Sequence, residues 1–215
     1  MTALLFCHGE IFNYENCKRY LNKYGIVICC DGGLRHAHNL QITPSYIIGD
    51  MDSVDCALLQ QYRQNKVKII EHPKEKETTD SALGLDLAIR LGATEVVIMG
   101  GIGSRFDHSV ANMFLLLTAL QKNVTAVLVG ENNIVYLIDS SITLASAEGT
   151  TVSLIPLTPH VHGITTEGLK YPLCNETLSL GSTRGISNVM LDKNARVKIQ
   201  QGLLAIVLEQ HTDAH

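Results

Sequence analysis

Over its first 130 residues the chain alternates short apolar runs with longer stretches whose apolar residues recur every three or four positions, and nothing else constrains its fold as strongly. The runs are ALLF, IVICC, YIIG, VKII, EVVIMG and AVLVG. Each is short and several are rich in Val and Ile, as strands buried on both faces tend to be. The segments between them predict helices over residues 15–23, 33–39, 55–64, 79–91 and 108–121. Strand alternating with helix implies an α/β unit, a mostly parallel doubly wound sheet with helices on both faces.

After Gly130 the texture changes. NNIVYLI, TVSLIPL, VHGITT, LSLG, ARVKIQ and LLAIVLE are short, β-branched and separated by Gly, Asn, Pro, Asp or Ser, with no helical window between them. That pattern predicts a smaller all-β sandwich. The expected division is therefore an α/β domain over residues 1–131 and a β-sandwich over residues 132–215, a length that allows two modest cores.

Composition excludes several classes of function. A formal net charge of -4 without a basic stripe argues against a nucleic-acid binder. No run approaches the roughly 18 apolar residues of a membrane span. The opening MTALLFCHGE has no basic leader, so a cytoplasmic location is the expectation. Six cysteines without a CxxC pair read as buried free thiols.

In a doubly wound sheet, ligands bind beyond the carboxyl ends of the strands, so the residues immediately after each apolar run are the candidates for chemistry. IVICC is followed by Asp31-Gly32-Gly33, and YIIG by Asp50-Met51-Asp52-Ser53. VKII leads into EHPKEKETTD, ending in Asp80, and EVVIMG into GIGSRFDH, with Arg105 and Asp107. Asp50 and Asp52, two apart in an extended segment, project to one side. Two acids so close repel unless a cation or donors lie between them, and a hard ion such as Mg²⁺ resolves the conflict. The competing reading is a polar turn in which Asp52 or Ser53 caps the next helix, with Asp55 as a first-turn acid. Thr78, Thr79 or Asp80 is placed to cap the helix that carries Leu83, Leu87 and Ile89. Lys74 and Lys76 suit either a loop closing over phosphates or an ordinary solvated pair. Arg105 can grip a phosphate with its planar fork. GIGSRF lacks the third glycine of a dinucleotide loop, and no GxxxxGK[ST] occurs, so dehydrogenase and P-loop kinase readings fail on their own signatures.

Taken together, CDGGLRHAHNL, IIGDMDS, KEKETTDSALGLDLA, GGIGSRFDHSVANM, TTEGLKYPL and GISN resemble, in order and across both halves, the thiamine pyrophosphokinase family. The resemblance implies transfer of the pyrophosphoryl group of ATP to the thiamine hydroxyl, giving thiamine diphosphate and AMP. It also implies a Mg²⁺ requirement and a homodimer whose active sites lie between subunits. Carried onto this chain, Asp50, Asp52 and Asp80 form the metal-handling set, and Asp52, Asp80, Arg105 and Asp107 the catalytic one. Asp31, Gly32, Lys76, Ser187, Asn188 and Tyr171 fall to substrate binding. Asp107 is the expected holder of the thiamine hydroxyl or acceptor of its proton. One departure is Glu77, which stands where the family commonly has aspartate; its extra methylene keeps it out of the metal set. A non-catalytic thiamine or nucleotide sensor, and a transferase acting on another small alcohol, are the alternatives.

Overall fold

All six apolar runs before residue 130 are strands: β1 (Thr2–Phe6), β2 (Ile26–Cys30), β3 (Tyr46–Gly49), β4 (Lys68–Glu71), β5 (Glu95–Met99) and β6 (Thr125–Val129). They pair in parallel in the order β6-β5-β1-β2-β3-β4. The chain thus steps outward from β1 to β4, then returns to the other side of β1 for β5 and β6. That reversal opens a crevice at the carboxyl ends of β1 and β5, the topological switch point where doubly wound sheets bind ligands. The computed structural model describes residues 1–18, 20–21 and 24–210. Two units emerge by internal contact, Met1–Glu131 and Asn132–His215.

The central strands behave as runs of Val, Ile and Leu should. Every residue of β2 is buried, and Leu4, Leu5, Ile28 and Ile98 are fully so. β4 does not follow the rule of burial on both faces. It is the sheet edge, with Lys68 and Glu71 exposed. Charged ends on an edge strand discourage pairing with another chain.

The helices are α1 (Glu15–Lys18), α2 (Leu34–Asn39), α3 (Cys56–Gln64), α4 (Asp80–Arg90) and α5 (Phe106–Gln121), with a 3₁₀ turn over Asp31–Gly33 leading into α2. Of the helix predicted over 15–23, residues 19, 22 and 23 lie outside the described residues. α5 starts two residues before its apolar period begins, because Phe106 is 79% exposed and contributes nothing to the buried stripe. Thr79 caps α4, its hydroxyl accepting from the Ala82 N–H at 3.2 Å. The face that α4 buries is Gly84, Leu85, Leu87 and Ala88 rather than Leu83 and Ile89, which are half-buried. At α3 the expectation fails. Neither Asp52 nor Ser53 caps it; Asp55 does, accepting from the Leu58 N–H at 2.9 Å.

The second unit contains β7 (Asn133–Ile138), β8 (Ser141–Ala145), β9 (Thr151–Pro156), β10 (His160–Glu167), β11 (Glu176–Ser179), β12 (Asn188–Val189), β13 (Asn194–Lys198) and β14 (Leu204–Glu209). They form two antiparallel groups, β12-β9-β14-β7 and β11-β10-β13-β8. Burial alternates residue by residue along β9 and β13, so one face of each group supplies the sandwich core. Two strands escape the sequence pattern. β8 is SITLA, with only Leu144 buried, and β12 is two residues long.

Cys7, Cys17, Cys29 and Cys30 are buried as expected, whereas Cys56 and Cys174 are exposed. Burial pushes the Cys29 thiol well above its usual range, so it behaves as a small core hydrophobe. Among the described residues no helix is long and apolar enough to cross a membrane.

The capping assignment is directly testable. Asp55→Ala should cost about 1 kcal/mol of stability in urea unfolding. Ser53→Ala should leave the midpoint within a few tenths of a kcal/mol; a reversed order would refute the assignment.

Candidate active site

A cleft of about 510 Å³ lies at the carboxyl ends of β1 to β5. It is lined by Cys7 to Glu10 after β1, by Asp31 and Arg35 after β2, and by Asp50, Asp52 and Ser53 after β3. Lys74, Lys76 and Asp80 after β4 line it too, as do Gly100, Gly101, Gly103, Ser104 and Arg105 after β5.

Three acids converge there. One carboxylate oxygen each from Asp31, Asp50 and Asp52 lies within 4.8 Å of the other two. The cause is not strand alternation, as the i, i+2 spacing suggests, because β3 has already ended at Gly49. Met51 takes the left-handed conformation, φ 62°, and the resulting turn folds Asp52 back so that its N–H donates to Asp50 Oδ1 at 3.2 Å. Ser53 closes the turn, its hydroxyl donating to Asp52 Oδ1 at 3.0 Å and its N–H to Asp31 Oδ1 at 3.4 Å. Asp31 is itself left-handed, φ 47°, and 6% exposed.

Gly49 makes the gathering possible. Its φ is 147°, and a Cβ there would meet Asp31 Cβ at 3.0 Å and Asp80 Oδ1 at 3.1 Å. Any larger residue would wedge the carboxylates apart.

Asp80 stands beside the trio rather than within it. Its Oδ1 is buried and accepts no hydrogen bond, and it meets Lys76 Nζ, 3.2 Å away, as an ion pair. Burial raises the Asp80 carboxyl above its ordinary value, and the Lys76 ion pair only partly opposes this. Lys76 also donates to Asp50 Oδ2 at 3.1 Å. Its own burial would lower its affinity for a proton, but the hydrogen bond to Asp50 and the ion pair with Asp80 outweigh that and raise it. Lys74 pairs with Asp52 Oδ2 at 2.6 Å and holds that carboxyl below its usual range. Lys74 therefore neutralises the acids from the solvent side and Lys76 from within the cleft. Glu77 is not among the residues lining the cleft.

The glycine-rich loop after β5 is held from below by α5. Asn112, 6% exposed, donates to the Gly101 carbonyl at 2.8 Å, and the Ser109 hydroxyl accepts from the Gly103 N–H at 3.1 Å. From the other side it meets the loop after β1, where the Gly9 N–H donates to the Gly100 carbonyl at 2.7 Å. A Cβ on Gly9 would lie 2.4 Å from that carbonyl oxygen, so the two backbones touch only because residue 9 has none.

Under Gly9 lies His36, 1% exposed, with Nε2 2.7 Å from the Gly9 carbonyl and Nδ1 2.7 Å from the Tyr14 hydroxyl. A carbonyl only accepts, so Nε2 carries the proton and Nδ1 accepts from Tyr14. Burial depresses the imidazole from 6.5 to about 4. It is a neutral strut between α2 and the rim of the cleft.

Arg105 reaches the cleft, but Asp107 does not line it. Asp107 is an exposed partner of Arg105, taking Nε at 3.3 Å and Nη2 at 2.6 Å. The Arg105 bonds hold its carboxyl below the usual range. With both oxygens so engaged, Asp107 orients the guanidinium. Gly32 packs under the His8 ring, and His8 Nδ1 is 4.0 Å from Asp31 Oδ2.

In the second unit, Asn188 and Tyr171 come together. Asn188 Oδ1 accepts from the Tyr171 N–H at 3.0 Å and from the Val189 N–H at 2.9 Å, while Nδ2 donates to the Tyr171 carbonyl at 2.7 Å. Asn188 is 6% exposed, so its amide is committed to the backbone; the Tyr171 ring is 59% exposed. Ser187 is left-handed, φ 60°, its N–H donating to the Ser153 hydroxyl at 3.1 Å.

Sequence reasoning missed Cys7 to Glu10, Arg35, Ser109, Asn112 and the strut His36. CHGE comes after an apolar run just as DGG and GDMD do, and that signal was available. No local signal marks Ser109, Asn112 or His36, which act on loops distant in sequence.

Comparison with known proteins gives one answer. The family model described as thiamin pyrophosphokinase, catalytic domain, matches residues 17–128. The model for its vitamin B1 binding domain matches residues 139–204. A thiamine pyrophosphokinase of Bacillus subtilis (strain 168) is 27% identical over 190 residues, spanning 87% of this chain and 89% of that one. Thiamine pyrophosphokinase 1 of Oryza sativa subsp. japonica is 24% identical over 203 residues, 82% of this chain and 76% of the relative. In fold, the crystal structure of the thiamine pyrophosphokinase from Bacillus subtilis superimposes with a TM-score of 0.90 at 24% identity, covering 99% of this chain and 100% of that one.

The His36 strut implies a pH dependence. Its affinity for a proton is lower folded than unfolded, so between about pH 6.5 and 4 the unfolded chain binds more protons. Stability from this group is complete above that window and is lost as pH falls through it. His36→Gln, which can donate to Gly9 and accept from Tyr14, should flatten the acid limb of a stability–pH curve over that interval. An unchanged limb would show that His36 is not what loses stability there.

Proposed function

This chain belongs to the thiamine pyrophosphokinase family, and we propose that ATP is its pyrophosphoryl donor, the thiamine hydroxyl its acceptor, and Mg²⁺ its metal. The observation that carries the reading is the set of Asp31, Asp50 and Asp52 oxygens within 4.8 Å of one another, in a cleft that also presents Lys76, Lys74 and Arg105. Carboxylate oxygens without a nitrogen or sulfur donor suit a hard divalent ion better than a transition metal. Asp80 Oδ1, ion-paired with Lys76, stands as one more acceptor beside them. Asp31, Asp50 and Asp52 would hold the ion, with Asp80 nearby. When bound, Mg²⁺ supplies positive charge to the phosphate oxygens of the donor.

The chain's own groups do the rest by position and charge, as phosphoryl-type transfer demands. Lys76 and Lys74, resting on the acids, would supply positive charge to incoming phosphates. Arg105, aligned by Asp107, presents its fork to phosphate oxygens. The loop from Gly100 to Arg105, pinned by Asn112 and Ser109, offers a rigid backbone wall that needs no rearrangement during reaction. Asp80 keeps a buried oxygen that meets Lys76 only as an ion pair, and burial raises its affinity for a proton, so we assign it the thiamine hydroxyl proton. We assign the acceptor role to Asp80 and the alignment of Arg105 to Asp107. Transfer leaves the pyrophosphoryl group on thiamine and AMP as the departing half.

In the second unit we assign the thiamine contact to Tyr171, whose exposed ring can face a cationic heterocycle. Asn188 fixes the backbone that carries it, and Ser187 lies beside Asn188 in a left-handed turn. A homodimer and a cytoplasmic location are proposed from the family likeness; light scattering at twice the chain mass checks the first.

Incubation with ATP, Mg²⁺ and thiamine tests the reaction. AMP with thiamine diphosphate is the expected product pair, ADP would mean an ordinary kinase, and no turnover a sensor. Asp50→Asn should lower kcat about a hundredfold or more with an unchanged circular dichroism spectrum; wild-type turnover would remove the metal assignment. Tyr171→Ala should raise KM for thiamine and leave KM for ATP unaltered.

A further inference from the structure

Strand β10 begins with His160-Val161-His162. Val161 is fully buried in the sandwich, while both histidines stand exposed on the opposite face of the strand. Their ring centroids are 5.7 Å apart and the ring planes meet at 34°. Each ring is tethered through Nδ1 to a hydroxyl of the antiparallel neighbour β11. His160 Nδ1 lies 3.1 Å from Ser179 Oγ, and His162 Nδ1 lies 3.1 Å from Thr177 Oγ1. The β10–β11 register shifts between Val161 and Ile164, with Gly163 at φ 67°, so the strand bends just beyond His162. Bulges of this kind re-aim neighbouring side chains.

We propose that His160 and His162 form a two-nitrogen chelate for a borderline divalent transition cation such as Zn²⁺, Cu²⁺ or Ni²⁺. Imidazole nitrogen binds Zn²⁺ at about 2.0–2.1 Å, which at a tetrahedral angle puts two ring centres roughly 5 Å apart. The observed 5.7 Å is close enough for a small side-chain rotation to close it. The tethers supply what a ligating histidine needs. A hydroxyl can accept from Nδ1–H, and in that tautomer Nε2 carries the lone pair for a metal. Ser179 and Thr177 supply those hydroxyls. Two nitrogens favour a transition cation over Mg²⁺, which prefers oxygen, so this site and the acids of the first unit would take different ions. The remaining coordination positions are open to water or an oxygen donor.

The test uses the full chain in excess Mg²⁺, titrated with Zn²⁺ while the histidine ring ¹⁵N resonances are followed. One equivalent should shift Nε2 of His160 and His162 together. His160→Ala and His162→Ala should each weaken binding at least about tenfold. The double change Thr177→Val with Ser179→Ala, which keeps both rings, should weaken it on the order of tenfold. The proposal falls if Zn²⁺ moves neither ring, or if both alanine variants bind as the wild type does. Because the readout is binding at these rings, its failure would leave the reading of the cleft untouched.

Discussion

Like charge gathered in one place is the constraint around which the first unit is built. Asp31 and Asp50 hold carboxylate oxygens within 4.8 Å of each other at the ends of neighbouring parallel strands. Two unit charges at that separation in a partly screened site repel by about 3–4 kcal/mol, a large share of the stability of an ordinary domain. The fold tolerates this because Lys76 and Lys74 reach in from the β4–α4 segment and neutralise the group. A site balanced in this way is ready to exchange one set of cations for another. Asp31, Asp50 and Asp52 would hold a metal ion, and Lys76 and Lys74 would then be available to phosphate.

The remaining parts of the cleft serve to keep that arrangement rigid. Gly49 removes the one Cβ that would separate Asp31 from Asp80, and left-handed backbone at Asp31 and Met51 turns the acids inward. On the opposite wall, Asn112 and Ser109 hold the glycine loop, while His36 and Gly9 set its distance from the end of β1. These are backbone contacts made by buried or half-buried side chains. They cost little when the cleft changes occupant, because none of them has to break.

The second unit solves a different problem with few parts. Its sandwich faces are specified by alternation, and a single buried amide, Asn188, fixes the segment that displays Tyr171. The outer face of β10 carries a pair of histidines whose tethering hydroxyls come from β11. In both places a neighbouring strand, not the local sequence, decides which atoms remain available.

Much of this was legible in the chain itself. Six short apolar runs separated by helical periods fixed the α/β class, since buried parallel strands and amphipathic helices have different repeats, and the loss of helical period after Gly130 marked the sandwich. Asp31, Asp50, Asp52, Asp80 and Arg105 could be singled out because each comes after a strand. What the sequence could not supply was convergence. Asp107 reads as a candidate base, and a guanidinium two residues away pairs with it; Asp31 reads as a substrate contact, and a turn at Met51 brings Asp52 into a cluster with it. His36 carries no signal at all, because its partners are Gly9 and Tyr14, more than twenty residues distant. Periodicity and strand ends are local properties written in neighbouring residues, whereas which carboxylate faces which cation depends on strand order and backbone turns that only the folded chain brings together.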